Sequence, residues 1–217
     1  MMKIRFTLRG KKMPLQNRVD PAGQLHAVSS RGMFMGNKGR LHNDNKEIVK
    51  KSGGTTGWVI CALSHKGIKR ELMAQGKYTE LFFLDEATAL AAGHRPCNDC
   101  LKEKYADFKQ RWLDTNSNET SVSTMADINR INQKERYFRG SKVTYIANMQ
   151  SLPDATFIEY EDQYFLIKGG YKYLWSFDGY TGRTELISCD VTVLTPKSFV
   201  AVLAVGYQPD LHSSLAT

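Results

Sequence analysis

An α+β fold is predicted for this 217-residue chain. It should comprise a small clipped α/β module, then an antiparallel β-rich meander or small barrel with a C-terminal helix. Three observations predict it. Residues 84–100 read LDEATALAAGHRPCNDC, a helix with both ends marked and a CxxC pair directly after a proline. Residues 100–113 carry an apolar stripe at helical spacing. From Lys142 onward, five runs rich in β-branched and aromatic residues follow one another.

The helix is specified locally. Asp85 can accept a hydrogen bond from a free backbone N–H at its start, and Glu86 to Ala92 are strong helix formers. Gly93 stands where a left-handed residue is wanted, and Pro96 blocks continuation. Cys97 and Cys100 can then both reach one metal ion at the start of the next helix. A CxxC admits three readings: half of a zinc site, a redox pair, or an incidental pair. The chain has four cysteines, at 61, 97, 100 and 189. In a reducing compartment they are not expected to build a disulfide framework, and no thioredoxin-like βαβ pattern surrounds the pair, which favours Zn2+. Cys189, in LISCDVTVL, reads as a buried free cysteine.

The run EATALAAGHRPCNDC resembles the second half of the zinc domain of the Ada adaptive-response protein, in which an alanine-rich helix, AAG, an aromatic residue, RPC and xxC follow one another. His94 stands at the aromatic position. That family's other two ligands form a CxxxC just after a TTG. Here Thr55-Thr56-Gly57 precedes Cys61, with His65 four residues further on. The resemblance, over residues 54–113, therefore implies a site of Cys61, His65, Cys97 and Cys100, with one cysteine exchanged for histidine. Cys61 lies one residue further from its TTG than in the family pattern. Four ligands would saturate a tetrahedral zinc, so the site is structural by ligand count. In the family a zinc thiolate of the first pair also takes a methyl group from a DNA phosphotriester. Cys61 is the candidate for that role, although a histidine in the ligand set makes a weaker nucleophile. His94, three residues before Cys97, is a rival fourth ligand.

Before this module, residues 1–53 form a basic, glycine-rich arm with little periodicity, in which Lys3–Leu8 reads as a short strand. In Ser30–Asn43, glycines 32, 36 and 39 alternate with Arg31, Lys38, Arg40 and His42. Such a loop can bring backbone N–H groups and cations to an anion, or can simply be ordered without a ligand. It lacks the GK[ST] ending of a P-loop. Within the module, Thr56–Leu63, Ile68–Met73 and Tyr78–Leu84 read as strands. In the helix over 100–113, Leu101, Tyr105, Phe108 and Trp112 share one face, and Lys102, Lys104, Lys109 and Arg111 lie opposite. Residues 114–140 are a polar linker and a helix that Thr124 and Asp127 open as a capping box. In the β-rich portion, 141–217, strands are expected over 142–148, 156–160, 163–168, 171–177 and 186–194. Thr195 and Pro196 should start the final helix.

The formal net charge is +8. Residues 1–51 hold twelve Lys/Arg against three Asp/Glu, a net +9, so the rest of the chain carries −1. That asymmetry suits a nucleic-acid partner, DNA rather than RNA, with Arg31, Lys38, Arg40 and Arg95 on phosphates; an ordinary solvated basic segment is the bland alternative. No apolar run reaches the roughly 18 residues of a membrane helix, and the N-terminus lacks a signal-peptide apolar stretch, so the cytoplasm is the expected location. GxSxG, HExxH and the deaminase HxE…PCxxC patterns are absent. The expectation is a zinc-binding, nucleic-acid-binding protein in repair or defence. The alternative is a metal-dependent nuclease or a glycosylase, in which Glu80, Asp85 and Glu86 meet His26 or His42, with Glu80 and His42 as catalytic candidates.

Overall fold

A computed structural model describes residues 13–50, 54–64, 67, 71–116 and 122–216. The strand expected over Lys3–Leu8 lies outside them, as do the first half of the one over Ile68–Met73 and part of the 114–123 linker; residues 71–73 are not strand, Leu72 and Met73 lying in a turn with Met73 at φ +52°.

The first sheet is mixed. Its strands are β1 (Arg18–Val19), β2 (Leu25–His26), β3 (Phe34–Gly39), β4 (Gly54–Ala62), β5 (Leu81–Phe83) and β6 (Arg95–Pro96), in the order β2-β1-β5-β3-β4-β6. β3 pairs antiparallel with β4 and β5, whereas β1–β5 and β4–β6 are parallel. The middle of the glycine-rich segment expected as a loop is thus strand β3, and two of the segment's glycines answer to packing. A Cβ on Gly32 would sit 1.8 Å from the Phe83 carbonyl oxygen, and one on Gly36 2.5 Å from that of Val59. Only glycine lets those backbones approach so closely.

Helix α1 (Glu86–Ala91) is buried at every residue. Such a helix, apolar on most of its circumference, belongs between two layers. Leu90 and Ala91 face one core with Phe108, Trp112, Phe157 and Phe199; Ala89 and Ala92 face another with Val19, Phe34, Ile60 and Phe83. Its ends are as the residues dictate. Asp85 Oδ1 accepts from the Thr88 amide at 2.8 Å. Gly93, at φ +85°, closes a Schellman pair, with Gly93 N donating to Leu90 O and His94 N to Ala89 O.

Helix α2 (Lys102–Thr115) buries Phe108 and Trp112, and α3 (Met125–Arg136) opens on the Thr124–Asp127 capping box. A short hairpin, β7 (Tyr137–Phe138) with β8 (Ser141–Lys142), leads to the second sheet. That sheet contains β9 (Tyr145–Asn148), β10 (Phe157–Tyr160), β11 (Gln163–Lys168), β12 (Tyr171–Ser176), β13 (Gly179–Glu185) and β14 (Asp190–Val193). All its pairings are antiparallel, in the order β13-β12-β11-β10-β14-β9. β10 to β12 are strands of the expected meander, and β13 extends it. Along β11 the two faces alternate, Leu166 entering the core against α1 while Phe165 and Ile167 enter a separate one. β13 escaped the sequence reading because GYTGRTE is polar and exposed after its first two residues.

Helix α4 (Lys197–Ala204) follows, but Thr195 does not cap it. Its hydroxyl accepts from the Phe157 amide at 2.9 Å, and Glu135 Oε2 from α3 takes the Ser198 amide at 3.0 Å instead. The tail then returns along α1. Glu86 accepts from the Tyr207 hydroxyl, from the Asp210 amide and from Lys104 Nζ at 2.7 Å, while Asp85 Oδ2 accepts from Tyr180 Oη at 2.7 Å and the His212 amide at 3.1 Å. The overall class is α+β, as predicted. Among the described residues no helix is long and apolar enough to cross a membrane.

Candidate metal centre

Three cysteines from two distant chain segments converge at one end of the first sheet. β6 pairs parallel with the end of β4, Val59 facing Arg95 and Ile60 facing Pro96, so Cys61 and Cys97 leave adjacent strands as neighbours. The Cys97 amide donates to Ile60 O at 3.0 Å, which fixes that register. The chain then turns through Asn98 and Asp99 to Cys100, and the Leu101 amide donates back to Cys97 O at 3.1 Å, starting α2. Gly93 and Pro96 bring about this turn: one ends α1, the other prevents a new helix until the thiols are in place.

The sulfurs of Cys61, Cys97 and Cys100 all lie within 4.8 Å of one another, and each residue is half-buried. Thiolates on one tetrahedral zinc stand about 3.8 Å apart, given Zn–S bonds of roughly 2.3 Å. The Asp99 amide donates to Cys97 Sγ at 3.4 Å, an N–H···S contact that stabilises negative sulfur. A hydrogen bond from the Cys61 thiol, with the Asp99 and Cys100 amides, pulls the Cys97 thiol down to about 5 against its burial. The same bond, with burial, pushes Cys61 up; burial also raises Cys100. These hydrogen bonds favour a negative sulfur at Cys97, the form a metal binds. The donor set fits a thiophilic metal such as zinc.

His65 lies outside the described residues. His94 is not in the group: its ring is 1% exposed and packs 4.8 Å from Phe83 and 5.3 Å from Trp58, centroid to centroid. Cys189 is free and half-buried against the core that holds Phe165 and Val191.

An open groove of about 610 Å³ runs beside Cys97, lined by Arg95, Tyr105, Met125 and Asn129 among others. Arg95 is 7% exposed. Its Nε donates to Asn129 Oδ1 at 2.9 Å, its Nη1 to Pro96 O at 2.9 Å, and its guanidinium lies 5.6 Å from the Tyr105 ring centre. Of the other residues expected on phosphates, Arg31 and Arg40 are exposed, Arg40 in an ion pair with Asp44, and Lys38 is buried.

Glu80 and His42 are both buried and bonded to the backbone of the 71–80 loop or to Thr79. Glu80 Oε2 accepts from the Met73 amide at 2.7 Å, which holds Met73 at φ +52°. His42 Nε2 donates to Ala74 O at 3.2 Å, and Nδ1 accepts from Thr79 Oγ1 at 2.7 Å. Asp85 and Glu86 face the tail. Among the described residues, no three His, Cys, Asp or Glu side chains other than the cysteine trio come together as a metal-sized group.

No family model, curated protein or solved structure matches the chain. Fold and site together define an α+β protein with a three-cysteine centre able to hold a metal ion. Of the residues lining the groove beside it, Tyr105 reads only as part of the helix stripe and Asn129 carries no sequence signal; both are placed by the packing of α2 and α3 around β6.

Proposed function

We propose that the protein is a zinc-binding, nucleic-acid-binding protein, DNA-associated and acting in repair or defence. The convergence of Cys61, Cys97 and Cys100 carries the reading. Held by those thiolates, with His65 completing the set, Zn2+ would join the end of the first sheet to the start of α2, and its role is structural. The resemblance of residues 54–113 to the Ada zinc domain supports both the metal and the DNA.

Three features support a nucleic-acid partner. The first 51 residues carry a net +9. Arg31 and Arg40 are exposed. The groove beside Cys97 is lined by an aromatic ring, Tyr105, a face on which a base can stack. Binding of the zinc-loaded protein to duplex DNA, followed by fluorescence anisotropy over a salt series, tests this. The observed constant should fall steeply with salt, and Arg31→Ala with Arg40→Ala should flatten the log–log slope by about two, one per lost phosphate contact. RNA of the same sequence should bind more weakly. Salt-independent or undetectable binding would remove the nucleic-acid half of the reading and leave the metal half standing.

A further inference from the structure

A second set of cations is enclosed beside the β7–β8 hairpin. Lys38 is 3% exposed and Arg136 1%. Trp58 receives both, with Lys38 Nζ 4.7 Å and Arg136 Cζ 5.2 Å from its ring centre, and Lys38 Nζ is also 5.5 Å from the Tyr137 ring. Lys142 Nζ donates to Ala91 O at 2.6 Å, and Arg136 Nη1 to Thr56 O at 2.7 Å, while Arg136 Nε and Nη2 are without a partner among the described residues. His94, held neutral by its burial and by Lys38, Arg136 and Lys142, supplies no counter-charge.

This cluster is short of negative charge. The carboxylates that act on it are both engaged elsewhere: Asp20, which acts on Lys142, with the Gln24 amide at 2.9 Å and the His26 ring at 2.8 Å, and Glu135, which acts on Arg136, with the Ser198 amide at 3.0 Å. Burial pulls Lys38 down to about 8, and burial with the Lys38 and Arg136 charges pulls Lys142 to about 7 against the pull of Asp20. Among the described residues Lys38 donates no hydrogen bond; its partners are the two rings. Buried charges are ordinarily paired, so an ammonium left on aromatic faces marks a place where a counter-ion is missing.

Lys38 opens into a cleft of about 140 Å³, lined also by Lys50, Tyr137, Gly23, Gln16 and Gln24. Gly23, at φ +79°, forms the wall beside the Tyr137 hydroxyl. Two lysines and a phenol hydroxyl thus line a space of small-anion size, backed by Lys142 and Arg136.

We propose that this cleft binds a phosphate monoester, its terminal group seated on Lys38, Lys50 and the Tyr137 hydroxyl. Two ammonium groups match a dianion better than a carboxylate's single charge, and lysine with a hydroxyl donor is an ordinary phosphate pairing. Lys38 lies at the back of the cleft, so an uninterrupted duplex backbone does not reach it, whereas a terminal or free phosphate does. The site shares no residue with the cysteine centre or its groove, so it stands or falls independently of the proposed function.

Isothermal titration of the zinc-loaded protein with inorganic phosphate tests this. Saturable one-to-one binding is expected, weakened at least about tenfold in Lys38→Met and less in Lys50→Gln and Tyr137→Phe. A 5′-phosphorylated oligonucleotide compared with its 5′-hydroxyl twin separates the sources. A gain from the phosphate that Lys38→Met abolishes assigns the site to nucleic-acid ends; equal binding of the two, beside Lys38-dependent phosphate binding, assigns it to a free small phosphate. Absence of saturable phosphate binding, or binding unchanged in Lys38→Met, would overturn the proposal. If Lys38→Met does not fold, Lys50→Gln and Tyr137→Phe decide, and a change below about twofold in both overturns it equally.

Discussion

Replacing Cys97 with serine should strip the metal and lower the melting temperature by about 8–16 °C. Cys97 touches both halves of the centre, hydrogen-bonded to Cys61 across β4–β6 and to the Asp99 amide within the turn. Serine keeps the shape but not the soft, easily ionised donor. A metal present at about a thousand times its dissociation constant stabilises by roughly 4 kcal/mol, and in a chain of this size each kcal/mol moves the transition by about 2–4 °C. Removing zinc from the wild type with a chelator should give the same shift, and the chelator should then do nothing to Cys97→Ser. Cys189→Ser, at a cysteine outside the trio, should retain both metal and melting temperature. Metal analysis with calorimetry checks all three; a fully loaded Cys97→Ser would refute the ligand assignment.

Asp85→Ala should destabilise about as much, by about 3–5 kcal/mol, for a reason unrelated to metal. Asp85 is fully buried, and one carboxylate caps α1 through Thr88, holds the Tyr180 hydroxyl of β13 and takes the His212 amide of the tail. Losing a cap costs about 1 kcal/mol, and each buried donor left unpaired about 1–3. Tyr180→Phe, which removes donor and partner together, should cost much less, on the order of 1 kcal/mol. Chemical denaturation of the two variants measures the difference. If Tyr180→Phe proved as damaging as Asp85→Ala, the carboxylate would not be the hub.

What the sequence makes legible here is what is decided over a few residues. The caps of α1 and α3, the β10–β11 and β11–β12 turns and the CxxC all depend on neighbours in the chain. Glu161 and Asp162, both at positive φ, and Gly169 with Gly170 turn those hairpins as two-residue loops should. Cys61 joins the pair only through the resemblance to the Ada zinc domain, whose first ligands follow a TTG as Cys61 follows Thr55-Thr56-Gly57. The strands of the basic arm were not legible. β1 and β2 are two residues long, too short for a periodic pattern; they pair with each other, and β1 is held in the sheet by β5, a strand distant in sequence. Lysine is still less readable in this respect. Lys38 and Arg95 read as surface charges on phosphates, yet one lies over Trp58 and the other is bonded to Asn129. Whether a charged side chain is solvated or enclosed depends on contacts between segments that no local pattern encodes. The glycines of Ser30–Asn43 misled in the same way: a close backbone approach across a sheet and an anion-binding loop call for the same residue.

X-ray absorption at the zinc edge of the purified wild-type protein tests the central claim most directly. One zinc per chain is expected, with three sulfur neighbours at about 2.3 Å and one nitrogen at about 2.0–2.1 Å. A protein without zinc, or a zinc surrounded by nitrogen and oxygen with fewer than three sulfurs, would contradict the assignment of Cys61, Cys97 and Cys100 as a metal centre.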